Sequence, residues 1–65
     1  MSYQIKIENF EGPLDLLLYF IRRDELDIYD IPISKITEDF MNVISEWKRL
    51  NMIVAGDFIV MASTL

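Results

Sequence analysis

Between Ile33 and Leu50 the apolar residues Ile33, Ile36, Phe40, Val43, Trp47 and Leu50 recur at alternating steps of three and four. That spacing marks one face of an α-helix, and the unbroken heptad seam suits packing along another helix at a shallow angle. Ile44 and Met41 widen the seam, while Lys35, Glu38, Asp39, Asn42, Ser45, Glu46, Lys48 and Arg49 fill the remaining positions. Pro32 or Ser34 opens this helix, the first through its fixed φ and the second as an N-cap. An earlier helix is predicted from Pro13 to about Asp24, with Leu14, Leu17, Leu18 and Ile21 as its core stripe. Leu16, Tyr19 and Phe20 are apolar too and point elsewhere, so this helix should be buried on more than one side. A third helix begins between Val54 and Gly56 and carries Phe58, Ile59, Val60, Met61, Ala62 and Leu65. Its pattern meets no stop signal at Leu65, so residues 1–65 read as one domain cut in mid-helix.

The connecting segments have patterns of their own. Tyr3, Ile5 and Ile7 alternate with Gln4, Lys6 and Glu8, which predicts a short half-buried β-strand. Phe10-Glu11-Gly12-Pro13 is a structural turn motif between that strand and the first helix. Gly12 is free to take backbone angles closed to other residues, and Pro13 suits the first helical turn. Asp15 then lies where a carboxylate complements the helix dipole. The link at residues 24–31 mixes carboxylates with Leu26, Ile28 and Ile31, whose side chains are expected to peg it to the core. The predicted fold is mainly α: a short N-terminal β-strand followed by three helices in a small bundle, completed by a partner or by self-association.

Composition sharpens the last point. Hydrophobic residues make up 52% of 65 residues. A chain this short has too little interior to shelter them all, and small domains usually need a disulfide, a metal or a partner. Cysteine and histidine are absent. Disulfides, the common zinc sites, cysteine nucleophiles and the usual neutral-pH general base go with them. A partner is the staple that remains, and some apolar surface should face it. Net charge is −5, and the basic residues Lys6, Arg22, Arg23, Lys35, Lys48 and Arg49 are scattered. No stripe forms that could follow a phosphate backbone, so direct nucleic-acid binding is not expected. The apolar run from Leu16 to Ile21 is far shorter than a membrane span, and no signal-peptide core opens the chain, so a soluble, cytoplasmic protein is expected.

Candidate chemistry is sparse. Asp24, Glu25, Asp27 and Asp30 cluster in the link, but Leu26, Ile28 and Tyr29 interrupt the ligand spacing of a calcium loop and no glycine follows. A solvated acidic connection accounts for them. Gly12 is the only glycine before position 56, too few for a phosphate-cradling loop. Ser34, Ser45, Ser63 and Thr37 have no histidine to activate them. Neither an enzyme nor a cofactor is expected.

Two long motifs carry a family resemblance. Phe10-Glu11-Gly12-Pro13-Leu14-Asp15-Leu16-Leu17-Leu18 and Leu26-Asp27-Ile28-Tyr29-Asp30-Ile31-Pro32-Ile33-Ser34-Lys35-Ile36-Thr37 stand in the order seen near the start of segregation and condensation protein A. Gly56-Asp57-Phe58-Ile59-Val60-Met61-Ala62-Ser63-Thr64-Leu65 resembles that family's third helix. The resemblance implies a non-catalytic kleisin of the bacterial SMC condensin complex, acting in chromosome condensation and partition during cell division. It implies N-terminal helices that dock on the coiled-coil neck of an SMC protein, and a middle region, absent here, that binds segregation and condensation protein B. A C-terminal winged-helix domain, also absent, would bind the other SMC head. Phe40, Val43, Ile44, Trp47, Phe58, Ile59, Ala62 and Leu65 are the expected partner contacts or bundle core. The competing reading of the same stripes is a helical domain that self-associates as a homodimer.

Overall fold

The computed structural model describes residues 6–65, which form a 3-10 turn (Ile7–Asn9) and three α-helices: α1 (Pro13–Arg23), α2 (Ile33–Arg49) and α3 (Gly56–Thr64). The expected N-terminal strand is not seen among the described residues, where Ile7 and Glu8 lie in the 3-10 turn instead. The Asn9 N–H donates to the Lys6 carbonyl and the Phe10 N–H to the Ile7 carbonyl, both at 3.1 Å, and no strand occurs among the described residues. Tyr3 and Ile5, the rest of the alternating run, lie outside them. A lone strand leaves its edge groups unpaired. The turn satisfies them locally and lets both Ile7 and Phe10 pack against the core.

Pro13 takes the first helical position of α1, as its ring favours. Asp15 reaches back in the first turn, where its Oδ2 accepts the Glu11 N–H at 3.2 Å. Gly12 does not use its special freedom. Its backbone is extended (φ −177°, ψ −177°), and an added Cβ would sit 3.7 Å from Asp57 Oδ2, an ordinary contact. Of the two openings weighed for α2, the helix follows Pro32 directly, whose carbonyl accepts the Ile36 N–H at 3.1 Å.

The first two helices end the same way. After α1, Glu25 turns left-handed (φ 50°) and the Leu26 N–H donates to the Ile21 carbonyl at 3.0 Å. After α2, Asn51 does so (φ 60°) and the Met52 N–H donates to the Trp47 carbonyl at 2.9 Å. In each, the residue after the left-handed one packs on the core, completing a Schellman-type stop. Asparagine tolerates this conformation, whereas glutamate pays a Cβ clash that glycine avoids. Glu25→Gly is therefore expected to stabilise the domain by about 0.5–1 kcal/mol, raising the thermal midpoint by several degrees. An unchanged or lower midpoint in a calorimetric melt would show that the Glu25 backbone is not under this strain.

Salt bridges from Arg23 to Asp39 (3.0 Å) and from Lys35 to Asp24 (3.1 Å) tie the end of α1 to the start of α2. Phe10, just before α1, meets Trp47 near the end of α2 with ring centroids 6.3 Å apart. The two helices thus run antiparallel. α3 contacts both of them, and its first turn lies beside Gly12. The core joins Leu16 and Phe20 of α1, Ile36, Phe40, Ile44 and Trp47 of α2, and Phe58 of α3. Trp47 packs edge-on against Phe58 at 5.6 Å, a favoured aromatic arrangement.

The core stripe of α1 is not the expected one. Leu16 and Phe20, one helical turn apart, point inward, while Leu14 and Leu18 are exposed and Leu17 and Ile21 half-buried. The seam of α2 is also shorter than its sequence pattern. Its middle is interior, but Ile33 and Leu50 at its ends are exposed, and of the two widening residues Ile44 is buried and Met41 is not. In the link Leu26 and Ile31 are pegged to the core, whereas Ile28 is exposed.

Candidate interaction surface

The bundle measures 35 × 31 × 19 Å. Its thickness is less than two helix diameters of roughly 10–12 Å each. No helix can be enclosed on every side, yet α1 and α3 are apolar almost all round. Each therefore presents an apolar outward face. On α1 that face carries Leu14 and Leu18, one turn apart, with Leu14 at 65% exposure. On α3, Phe58, Met61, Ala62 and Leu65 are in or against the core, and Ile59 and Val60 stand outside it. The loop between α2 and α3 adds Ile53, which is 92% exposed. The outward face of α2 is polar apart from Met41 and, in its first turn, Ile33.

The expected partner or core residues separate by depth. Phe40, Ile44, Trp47 and Phe58 are interior, where nothing outside the bundle reaches them. Val43, Ala62 and Leu65 are half-buried against that core. Ile59, at 38% exposure, is open to a second molecule. In the turn motif, Phe10 is half-buried edge-on to Tyr19, with centroids 5.8 Å apart, while Glu11 is exposed. Leu14 and Leu18 were missed as surface because residue-type patterning on an apolar helix does not say which side faces in.

Among the described residues no three carboxylates stand close enough to hold a metal ion. The Ser63 and Thr64 hydroxyls donate to the Val60 and Met61 carbonyls of their own helix. An open groove lined by Asn9, Phe10, Asp15, Tyr19, Arg22 and Arg23 brings a carboxylate near two guanidinium-bearing residues, with no serine, threonine or lysine in the lining. No described helix is long and apolar enough to cross a membrane.

An ion-pair network spans the α1–α2 junction. Arg23 and Lys35 each bridge Asp24 and Asp39, making a four-membered ring across the α1–α2 junction. The Arg23 guanidinium also lies 5.1 Å from the Phe20 ring centroid, within cation–π range. Hydrogen bonds from Arg23, and then from Lys35, hold the Asp24 carboxyl well below the usual carboxylate range. Asp39 and then Asp24 raise the Lys35 ammonium above its ordinary value. A carboxyl depressed by folding contributes stability that is complete above its ordinary value of 3.8 and is lost as pH falls below it. The ring is solvent-exposed, so the effect is small and screened by salt. Asp24→Asn is expected to lower the unfolding midpoint modestly at pH 7 and to flatten the loss of stability below about pH 4. Identical pH–stability curves for parent and variant at low salt would remove the ring from the stability of the junction.

Residues 20–65 match the family profile described as segregation and condensation protein ScpA. Across the full 65 residues the chain is 55% identical to segregation and condensation protein A of Bacillus licheniformis, 52% to that of Brevibacillus brevis and 51% to that of Bacillus cereus strain AH187. The chain spans 26% of the length of each of these relatives.

Proposed function

Because this chain belongs to the segregation and condensation protein A family, we propose that it is the docking domain of a non-catalytic kleisin in a bacterial SMC condensin complex. In this reading it acts in chromosome condensation and partition, in the cytoplasm and on the nucleoid through the complex. Its helices bind the coiled-coil neck of an SMC subunit. The middle region characteristic of the family would engage segregation and condensation protein B.

The observation that carries this reading is the pair of apolar outward faces on a bundle that already has a closed core. Leu14 and Leu18 of α1 and Ile59 and Val60 of α3 can be covered without disturbing Trp47, Phe40 or Phe58. A coiled-coil neck is a suitable cover, because its helices offer a long apolar seam to side chains spaced along a helix. Val43, Ala62 and Leu65, half-buried against the core, keep part of their surface open and could share the contact.

Gel filtration tests the proposal directly. Mixed at micromolar concentration with an SMC head-and-neck fragment, the chain should co-elute as a stable complex, and failure to do so would overturn the docking role. Light scattering on the chain alone addresses the homodimer, which the same exposed faces could support. A monomer disposes of self-association, and a tight dimer that excludes the SMC fragment disposes of docking.

A further inference from the structure

The turn between α1 and α2 presents apolar side chains to solvent from a closed backbone. Leu26 and Ile31 anchor its two ends on the core. Between them the Tyr29 N–H donates to Asp27 Oδ1 and the Asp30 N–H to the Asp27 carbonyl, each at 3.0 Å. These bonds hold a tight turn whose side chains point away from the protein: Tyr29 is 96% exposed and Ile28 is also open. Ile33, exposed at the start of α2, follows directly after Pro32. None of the three contributes to the bundle core.

The rim is acidic and unneutralised. Asp24 and Asp39 are paired with Arg23 and Lys35, but Glu25, Asp27 and Asp30 form no ion pair among the described residues. A ligand covering Tyr29 would desolvate these carboxylates and must offer them cations. That requirement excludes anionic lipid and nucleic-acid phosphate, which the rim repels. A second copy is a poorer match, since the chain carries a net charge of −5 and, among the described residues, only the scattered Lys6, Arg22 and Lys48 stand outside ion pairs, with Arg23, Lys35 and Arg49 already paired.

We infer that Ile28, Tyr29 and Ile33, framed by Glu25, Asp27 and Asp30, form a docking site for a protein segment in which arginine or lysine flanks an aliphatic side chain. Tyrosine is a favoured anchor in such contacts, and an arginine can stack on its ring while reaching a rim carboxylate. The site is separate from the faces proposed for the coiled coil. It lies at the C-terminal end of α1, whereas the first turn of α3 lies beside Gly12 at the other end.

The test is an amide NMR titration of the chain with three synthetic peptides: one of arginine and leucine, one of glutamate and leucine, and one of arginine alone. The arginine–leucine peptide should give saturable shifts confined to residues 25–33 that weaken as salt is raised, and the glutamate–leucine peptide none. Tyr29→Ala should weaken binding at least tenfold without changing the thermal midpoint. Asp27→Asn with Asp30→Asn keeps the Oδ1 acceptor of the turn and removes the charge, and should weaken binding at low salt. Shifts centred on α1 or α3, equal binding of the all-arginine peptide, or an unaffected Tyr29→Ala would each overturn the inference. So would binding to phosphatidylserine vesicles through Tyr29.

Discussion

Trp47→Ala is expected to unfold the domain. Trp47 is 1% exposed and occupies the centre of the aromatic cluster, edge-on to Phe58 at 5.6 Å and tilted against Phe10 at 6.3 Å. Through these two rings it joins α2 to α3 and to the segment that leads into α1. Truncating a buried tryptophan to alanine costs about 3–5 kcal/mol in lost transfer energy and unfilled cavity. A domain of this size rarely has more than about 3–5 kcal/mol in total. The side chains around the void are themselves large and anchored by helices, so collapse into it is limited. Far-UV circular dichroism should show most of the helical signal lost at 25 °C, or a denaturation midpoint displaced into the first part of the curve. Leu18→Ala is the matched control, since Leu18 lies outside the core and its loss should change the midpoint little. A Trp47→Ala variant that melts cooperatively near the parent midpoint would refute the placement of this residue as the hub.

Ile59→Asp should leave the fold intact and remove docking on the SMC neck. The side chain is partly exposed on the first half of α3, where a carboxylate is compatible with the helix dipole, so the isolated domain should melt close to the parent. In a covered interface the same carboxylate would be desolvated without a partner, at a cost of about 3 kcal/mol or more. That corresponds to roughly a hundredfold loss of affinity. Leu14→Asp probes the α1 face in the same way. Calorimetric titration of each variant into the SMC head-and-neck fragment separates the two helices. Unchanged affinity for Ile59→Asp would take α3 out of the contact, and unchanged affinity for Leu14→Asp would take α1 out. Loss in neither variant would leave the outward apolar faces without the proposed role. Because Ile59 and Tyr29 lie on different surfaces, neither result bears on the basic-peptide site at the α1–α2 turn.

How much was legible beforehand depended on contrast between faces. α2 alternates apolar and charged positions, and the placement of Ile36, Phe40 and Trp47 follows from that alternation. Its ends, Ile33 and Leu50, keep the same periodicity but lie where no neighbouring helix reaches, so the pattern overstates the seam. α1 has little contrast, and the stripe of Leu14, Leu17, Leu18 and Ile21 was as plausible a core as Leu16 and Phe20. The strand expected at Tyr3, Ile5 and Ile7 failed at Ile7 for another reason. Alternation describes a residue's suitability for a sheet but supplies no second strand to pair with. The interaction surface was legible as an excess of apolar residues, and its address was not.

By itself the amino-acid sequence determined the helical segments, the helix-opening Pro13, the absence of histidine and cysteine chemistry, and a surplus of apolar side chains over what 65 residues can bury. These depend on neighbours along the chain and on composition, which need no fold to be read. The tertiary structure decided which side of α1 turns inward, that Glu25 and Asn51 stop their helices in left-handed conformations, and that Asp24 and Asp39 share Arg23 and Lys35. It also decided that Leu14, Tyr29 and Ile59 remain available to other molecules. Those outcomes are set by which surfaces meet when α3 returns against the α1–α2 pair, and packing between distant segments carries no signature in local periodicity.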